Sequence, residues 1–141
     1  MRIVEIEKRT SILIKQLLKI WESSVRETHL FLYDNEIKRI ADYVPLALNN
    51  INHLVIVEVA FMGIEKERLE MLFVAPHEIK KGLGKSLIQF GIKNYQLKEL
   101  TVNEQNPQAK GFYEHLGFHV YKRTETDEQG NPYPLLYMKL D

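Results

Sequence analysis

Two glycines, Gly82 and Gly84, stand between an apolar run and a helical pattern, an arrangement that suits the binding of phosphate. The apolar run from Met71 to Ala75 predicts a central strand covered on both faces, and Pro76 ends it because proline cannot donate to a strand ladder. Glycine allows a close backbone approach, and the N–H groups at a helix start are unpaired and partly positive. The pattern therefore predicts an anion site where a helix begins near Gly82.

The spacing of these glycines excludes two common phosphate motifs. A P-loop has a longer glycine spacing followed by Lys-Ser/Thr, and the dinucleotide fingerprint has a third glycine. A tight turn whose glycines only relieve strain is the alternative reading of this loop. The loop does fit the pattern Q/R-x-x-G-x-G/A followed by a helix, except that Ile79 occupies the first position.

A second stretch with chemical potential runs from Val102 to Phe118, with the sequence VNEQNPQAKGFYEHLGF. Asn106 is a good helix cap, Pro107 suits the first helical position, and Gly117 stops the helix. This short helix carries Tyr113, whose phenol has an ordinary pKa near 10. Tyr113 is therefore protonated at neutral pH and can donate a proton to a leaving group.

Together the two stretches resemble the GCN5-related N-acetyltransferases, the GNAT family. The glycine loop resembles the family's pyrophosphate loop, and the second stretch fits the family pattern N-x-x-A-x-x-F/Y-Y-x-x-x-G-F. The matching residues of the second stretch are Asn106, Ala109, Phe112, Tyr113, Gly117 and Phe118. The segments 21–32 and 130–136 resemble a branch of small bacterial GNAT proteins.

The resemblance implies an α+β (mixed α/β) fold with a mostly antiparallel central sheet and helices on both faces. The sheet is split between two parallel strands, which end here at Val74 and Val102. Acetyl-CoA, the acetyl donor, enters this split, and a primary amine attacks it directly in a ternary complex. A non-catalytic acyl-CoA-binding or regulatory module on the same fold is the alternative, which Ile79 keeps open.

The resemblance also assigns the residues that bind acetyl-CoA. The strand backbone pairs with the pantetheine arm, the glycine loop holds the pyrophosphate, and the second motif reaches the donor from the other strand. The implied donor-binding residues are Leu72, Phe73, Val74, Ile79, Lys80, Lys81, Gly82, Leu83, Gly84, Lys85, Asn106 and Tyr113.

Three side chains are candidates for catalysis. The family register makes Tyr113 the general acid for the CoA thiolate, with a packing aromatic as the alternative. Glu70, at the start of the central strand, is a candidate proton relay or an exposed strand-end charge. His29 is a candidate base or acceptor-binding group, since its ordinary pKa lies near neutrality, or a solvated loop histidine. A backbone N–H near Leu72 or Phe73 would stabilise the oxyanion.

Composition narrows the remaining function classes. The chain has 141 residues, which predicts one domain over 1–141, and it has 19 basic and 19 acidic residues. A net charge of zero argues against a general binder of nucleic acid or membrane surfaces. Cysteine is absent, no run is long enough to cross a membrane, and the histidines lack metal-ligand spacing, so no metal is expected. We expect a cytoplasmic protein with acetyl-CoA and an amine as partners, and a homodimer is left open.

The elements that must position these residues can be read in chain order. A short strand over 3–6 precedes a helix capped by Thr10 or Ser11, and a second helix is capped near Asp34 or Asn35 and interrupted by Pro45. The expected buried stripe of the first helix comprises Leu13, Leu17, Ile20, Trp21 and Ser24. Strands over 54–59 and 60–64 lack a turn signal between them, which indicates either a very tight hairpin or one bent strand. Further strands are expected over 100–102, 118–121 and 134–140.

Overall fold

A seven-stranded sheet forms the centre of the computed structural model, which describes residues 2–76 and 82–141. The strands are β1 (Val4–Glu5), β2 (His53–Val57), β3 (Ala60–Glu65), β4 (Arg68–Val74), β5 (Glu99–Asn103), β6 (His119–Thr124) and β7 (Leu135–Lys139). Their order across the sheet is β1-β2-β3-β4-β5-β7-β6, and among these described strands only β4 and β5 pair in parallel. The predicted mixed, mostly antiparallel sheet is confirmed.

Helices cover the sheet on both faces, as expected. They are α1 (Ser11–Thr28), α2 (Asp34–Ala41), α3 (Val44–Asn50), α4 (Leu83–Tyr95) and α5 (Pro107–His115). Leu54 packs with α1, α2 and α3 in one apolar cluster, whereas its neighbour Val55 packs with α4 and α5 in the other. Successive strand residues point to opposite faces, so β2 contributes to both cores.

The strands β4 and β5 separate immediately after they start to pair, which splits the sheet. The two strands pair only at Arg68 with Glu99 and at Leu69 with Leu100. On its other side β4 pairs with β3, and there the register shifts so that Glu70 has no partner between Leu69 and Met71. Such a bulge bends the strand that contains it, which gives a physical reason for the divergence of β4 from β5.

The predicted burial of the central strand is only partly right. Ala75 is buried, but Met71, Leu72, Phe73 and Val74 are half-buried. These four residues lie beyond the point where β4 and β5 separate, so they line cavities instead of a closed core. The apolar pattern could not distinguish a closed core from a cleft because both favour apolar side chains.

The tight-hairpin alternative is confirmed for β2 and β3. Val57 pairs with Ala60, which leaves only Glu58 and Val59 in the turn. Glu58 has φ 47°, a left-handed conformation that non-glycine residues adopt uncommonly. The turn was hard to recognise because it lacks the glycine, asparagine or aspartate that such turns favour.

The helix boundaries differ from expectation in small ways. Thr10 does cap α1, where its hydroxyl accepts from the Leu13 N–H at 3.2 Å. The buried face of α1 comprises Ile14, Leu17, Trp21, Ser24 and Val25, while Leu13 and Ile20 are half-buried. Tyr33 is the N-cap of α2, and Pro45 lies in the first turn of α3, where a missing N–H is tolerated, instead of interrupting α2.

Candidate active site

Two connected cavities, of about 250 and 210 Å³, occupy the split between β4 and β5 and form what we call the donor cleft. Leu72 and Phe73 of β4 line both cavities, facing Asn106 and Tyr113. Val74 lines the smaller cavity with its half-buried side chain. The structure thus brings the strand and α5 motifs together.

The start of α5 is fixed by local sequence, and this fixes the position of Tyr113 within the helix. The Asn106 Oδ1 accepts from the Ala109 N–H at 3.3 Å, and Pro107 is the first helical residue. Tyr113 is 8% exposed and packs between Phe112 and Phe118, with ring centroids 5.1 and 6.0 Å away. Burial raises the pKa of Tyr113 above its ordinary value, so the hydroxyl keeps its proton at neutral pH.

The two glycines serve different purposes at the start of α4. Gly82, with φ 77°, is the N-cap in a left-handed conformation that side chains disfavour. Gly84 allows a close approach to α5, since a Cβ there would lie 3.3 Å from Cζ of Phe112. Both glycines and Lys85 line the smaller donor cavity, whereas the Leu83 side chain is buried in the core. Ile79, Lys80 and Lys81 lie outside the described residues.

Glu70 occupies the bulge of β4 and lines the larger donor cavity. Its Oε1 lies 3.5 Å from the Arg68 Nε. Burial raises the pKa of Glu70, and Arg68 opposes that effect. Glu128 and Glu65 raise the pKa further through charge repulsion. A carboxyl group with a raised pKa is a better proton acceptor than an ordinary surface glutamate.

His29 is the C-cap of α1, and its N–H donates to the Val25 carbonyl at 2.8 Å. The ring lines both donor cavities and also a third cavity beyond them. Burial lowers the pKa of His29, which favours the neutral imidazole. Its Nδ1 lies 2.9 Å from the Thr28 Oγ1, so this histidine is held in place and is not a freely solvated loop residue.

The third cavity, of about 300 Å³, lies between α1, α2 and the loop from β6 to β7. The Phe31 ring lies 5.4 Å from the Tyr133 ring, and the Tyr133 hydroxyl donates to a carboxylate oxygen of Glu36. Glu36 also accepts from the Tyr33 N–H at 2.9 Å. We call this arrangement the Tyr133–Glu36 tie, because it joins α2 to the β6–β7 loop across one side of the cavity.

A fourth cavity, of about 490 Å³, lies between α1, α3 and the ends of β3 and β4. Glu65 and Glu70 line it, and Trp21 and Phe73 separate it from the 300 Å³ cavity. The Phe73 ring lies 6.5 Å from the Trp21 ring in an edge-on arrangement and borders all four cavities. The donor cleft and the two outer cavities, which we call the acceptor side, therefore meet at Phe73.

Comparison with known proteins decides the family. The sequence model of the acetyltransferase (GNAT) domain family matches residues 24–140 of this chain. The chain belongs to the GNAT family. A curated relative, the peptidyl-lysine N-acetyltransferase YjaB of Salmonella typhimurium, is 36% identical over 131 residues, which cover 86% of this chain and 88% of the relative.

Solved structures agree with this GNAT assignment. The solution structure of apo-form YjaB from Escherichia coli is 33% identical and has a TM-score of 0.86, with 99% of this chain and 97% of that chain covered. The PaiA N-acetyltransferase of Thermoplasma acidophilum, crystallised with coenzyme A, is 20% identical and has a TM-score of 0.72, with 100% of this chain and 99% of that chain covered. At that identity the second likeness shows the fold alone.

The GNAT assignment confirms several expectations. The protein is an enzyme, an acetyl-CoA-dependent N-acetyltransferase, and not the non-catalytic module that Ile79 had kept open. None of the helices in residues 2–76 and 82–141 is long and apolar enough to cross a membrane. The individual site residues stay predictions.

Sequence reasoning missed Glu36 and Tyr133 as site residues. They are separated by 97 positions in the chain, and nothing in either local pattern indicates the other. The only available signal was the segment 130–136, which resembled a bacterial branch of the GNAT family without pointing to a contact.

Proposed function

We propose that this GNAT enzyme acetylates the ε-amine of lysine side chains in polypeptides. The observation that carries the proposal is the size of the acceptor side, where cavities of about 490 and 300 Å³ meet the donor cleft at Phe73. A lysine side chain could reach the cleft through one cavity while the flanking residues of its chain occupy the other. Three curated relatives of this chain are peptidyl-lysine N-acetyltransferases, which supports the same class of acceptor.

The charge of the acceptor side also supports a cationic acceptor. Within the described part of the chain, the residues that line the two acceptor-side cavities include four acidic ones and one basic one. These are Glu36, Glu65, Glu70 and Asp127 on the acidic side and Arg39 on the basic side. Carboxylates attract an approaching lysine ammonium and the basic residues that accompany it.

The donor cleft fits acetyl-CoA in the way that the resemblance implies. The backbone of Leu72 to Val74 has no strand partner on its β5 side in the described structure, so it can pair with an extended arm. The start of α4 at Gly82 offers N–H groups to the pyrophosphate. Asn106 lines the cleft from the start of α5. Ile79, Lys80 and Lys81 are included among the proposed donor-binding residues on the sequence resemblance alone.

The chemistry follows from these positions. The amine attacks the thioester carbonyl, and a backbone N–H near Leu72 or Phe73 stabilises the developing oxyanion. Tyr113 then gives its proton to the departing sulfur. Glu70 and His29 are the two candidates for the base that accepts the proton of the amine.

The test is an assay with a lysine-containing peptide, its N-terminus blocked, and a matched peptide in which arginine replaces lysine. We expect acetylation of the lysine Nε by mass spectrometry, with stoichiometric release of CoA, and no product from the arginine peptide. If only free N-termini or small amines are acetylated under the same conditions, the acceptor proposal is wrong, although the family assignment stands.

We include two further properties in this proposal. Residues 1–141 act as one domain, which limited proteolysis would show as a single resistant fragment. The enzyme acts in the cytoplasm, where acetyl-CoA is available, and cell fractionation tests this location. Whether the enzyme is a monomer or a homodimer is left open, and sedimentation analysis decides between the two.

A further inference from the structure

A chain of two hydrogen bonds at the end of α1 determines which nitrogen of His29 carries a proton. The Thr28 hydroxyl lies 2.7 Å from the Ser24 carbonyl oxygen, which can only accept, so Thr28 donates its single proton there. The Thr28 Oγ1 also lies 2.9 Å from the His29 Nδ1. Because the hydroxyl proton is already used, Nδ1–H must be the donor of this second bond.

The protonation of Nδ1 has a direct consequence for Nε2. In neutral imidazole one nitrogen bears the proton and the other keeps its lone pair. The lowered pKa of His29 favours the neutral ring, so Nε2 is an available proton acceptor. Within residues 2–76 and 82–141, no side chain or backbone group forms a hydrogen bond with this nitrogen.

We propose that Thr28 is a positioning residue that keeps the His29 Nε2 unprotonated, and that Nε2 accepts the proton lost by the amine during acetyl transfer. The proposal rests on the N-acetyltransferase activity of the enzyme and holds for any amine acceptor. It depends on the function proposed above only where that amine is taken to be lysine. Thr28 acts through His29 and transfers no proton to the substrate.

The contacts of the two side chains favour His29 over Glu70 as this base. His29 lines both donor cavities and the 300 Å³ cavity of the acceptor side, so it stands where an amine must meet the thioester. Glu70 lines the 490 and 250 Å³ cavities, and Arg68 lies 3.5 Å from its carboxylate. Arg68 therefore already pairs with the Glu70 carboxylate, whereas no group among the described residues forms a hydrogen bond with the His29 Nε2.

The protons of the reaction balance with His29 in this role. The acceptor ammonium loses one proton to solvent, which leaves a neutral amine. Its nitrogen forms the C–N bond, the C–S bond breaks, and the electron pair of that bond goes to sulfur. The nitrogen becomes strongly acidic as it bonds to carbon, so imidazole can take its second proton at Nε2. Sulfur takes the Tyr113 proton, and solvent then removes one proton from His29 and returns one to Tyr113.

The first experiment measures the tautomer of His29 in the free protein by ¹H–¹⁵N NMR of the imidazole nitrogens. We expect the Nδ1–H tautomer in the wild type and in Thr28→Ser, which keeps a hydroxyl. Thr28→Val has nearly the same shape but no hydroxyl, so we expect the Nε2–H tautomer to become populated. A wild-type ring protonated at Nε2, or a Thr28→Val ring identical to the wild type, would overturn the proposal.

The second experiment measures kcat and acceptor KM with whichever amine the enzyme acetylates. We expect His29→Ala to lower kcat by about 10²-fold and Thr28→Val by roughly tenfold, with Thr28→Ser close to the wild type. His119→Ala, a change far from the cleft, is the matched control and should leave kcat unchanged. Thermal unfolding of every variant excludes a loss of folded protein as the cause.

Coupling between the two residues separates positioning from packing. If Thr28 acts only through His29, adding Thr28→Val to His29→Ala should cause no further loss of kcat. An additive tenfold loss in the double variant would show that Thr28 supports α1 instead and would overturn its positioning role. The tautomer measurement needs no acceptor, so it stands even if lysine peptides prove not to be substrates.

Discussion

The donor cleft and the acceptor side meet at Phe73, yet they are built in opposite ways. The donor cleft depends on the backbone of β4 and on the starts of α4 and α5, each positioned by a nearby cap such as Gly82 or Asn106. The acceptor side depends on side chains from α1, α2, α3 and the β6–β7 loop, joined by contacts such as the Tyr133–Glu36 tie. This difference implies that donor affinity and acceptor affinity can be changed separately.

The largest expected effect comes from breaking the donor cleft at Gly82. Gly82→Val forces a branched side chain into a conformation with φ 77°, which either costs about 1–3 kcal/mol or moves the start of α4. We expect acetyl-CoA affinity, measured by calorimetry, to fall by about 10²-fold or more while the fold survives. Gly130→Val is a matched control, because Gly130 has φ 83° but lies in the β6–β7 turn, outside the two donor cavities. Equal donor affinities for Gly82→Val and the wild type would refute this site.

The next effect separates chemistry from binding within the same cleft. Tyr113→Phe removes only the hydroxyl, so packing against Phe112 and Phe118 should be kept. We expect kcat to fall by about 10²-fold with acetyl-CoA affinity nearly intact. The measurement is kcat across pH at saturating acetyl-CoA, with Tyr121→Phe, an exposed tyrosine of β6, as the control. Near-equal rates at every pH would leave Tyr113 as a packing residue.

These two predictions could be made from the sequence because their signals are local. The Asn-Pro start of α5, its glycine stop and the glycine loop indicated the elements themselves, and the resemblance to the GNAT family implied that they meet at the split. The acceptor side was indicated only by His29 and its neighbours, since Glu36 and Tyr133 come together through tertiary packing. The bulge at Glu70 was equally hidden, because a register shift depends on which residues of β3 lie opposite.

A smaller effect, on the acceptor KM, is expected when the Tyr133–Glu36 tie on the acceptor side is removed. Tyr133→Phe keeps the ring beside Phe31 but removes the hydroxyl that donates to Glu36. We expect the acceptor KM to rise roughly three- to tenfold with the donor KM unchanged. Steady-state kinetics with each substrate varied in turn checks this, and Tyr137→Phe on β7 is the control. A change in donor KM of the same size would contradict the separation of the two regions.

The smallest effect concerns the pH dependence of the Tyr133–Glu36 tie. The Tyr133 hydroxyl and the Tyr33 N–H hold the pKa of Glu36 below its ordinary value. A carboxyl whose folded pKa is lowered stabilises the fold above its ordinary pKa and loses that contribution as pH falls. We expect the wild type to have a slightly higher Tm than Tyr133→Phe at pH 7, and this difference should shrink below about pH 4. A difference that grows as the pH falls would contradict the assignment.

The early end of pairing between β4 and β5 has a consequence for which molecules can enter the sheet. Beyond Leu69 and Leu100 the two strands present inner edges that have no strand partner among the described residues. An open edge ordinarily invites another polypeptide strand, which is a route to aggregation. Here the edge runs only from Glu70 to Val74, roughly 16 Å at about 3.3 Å per residue, and helices cover both faces of the sheet. The open edge is therefore long enough to pair with a short extended arm, but it offers too few backbone groups to pair with a long polypeptide strand.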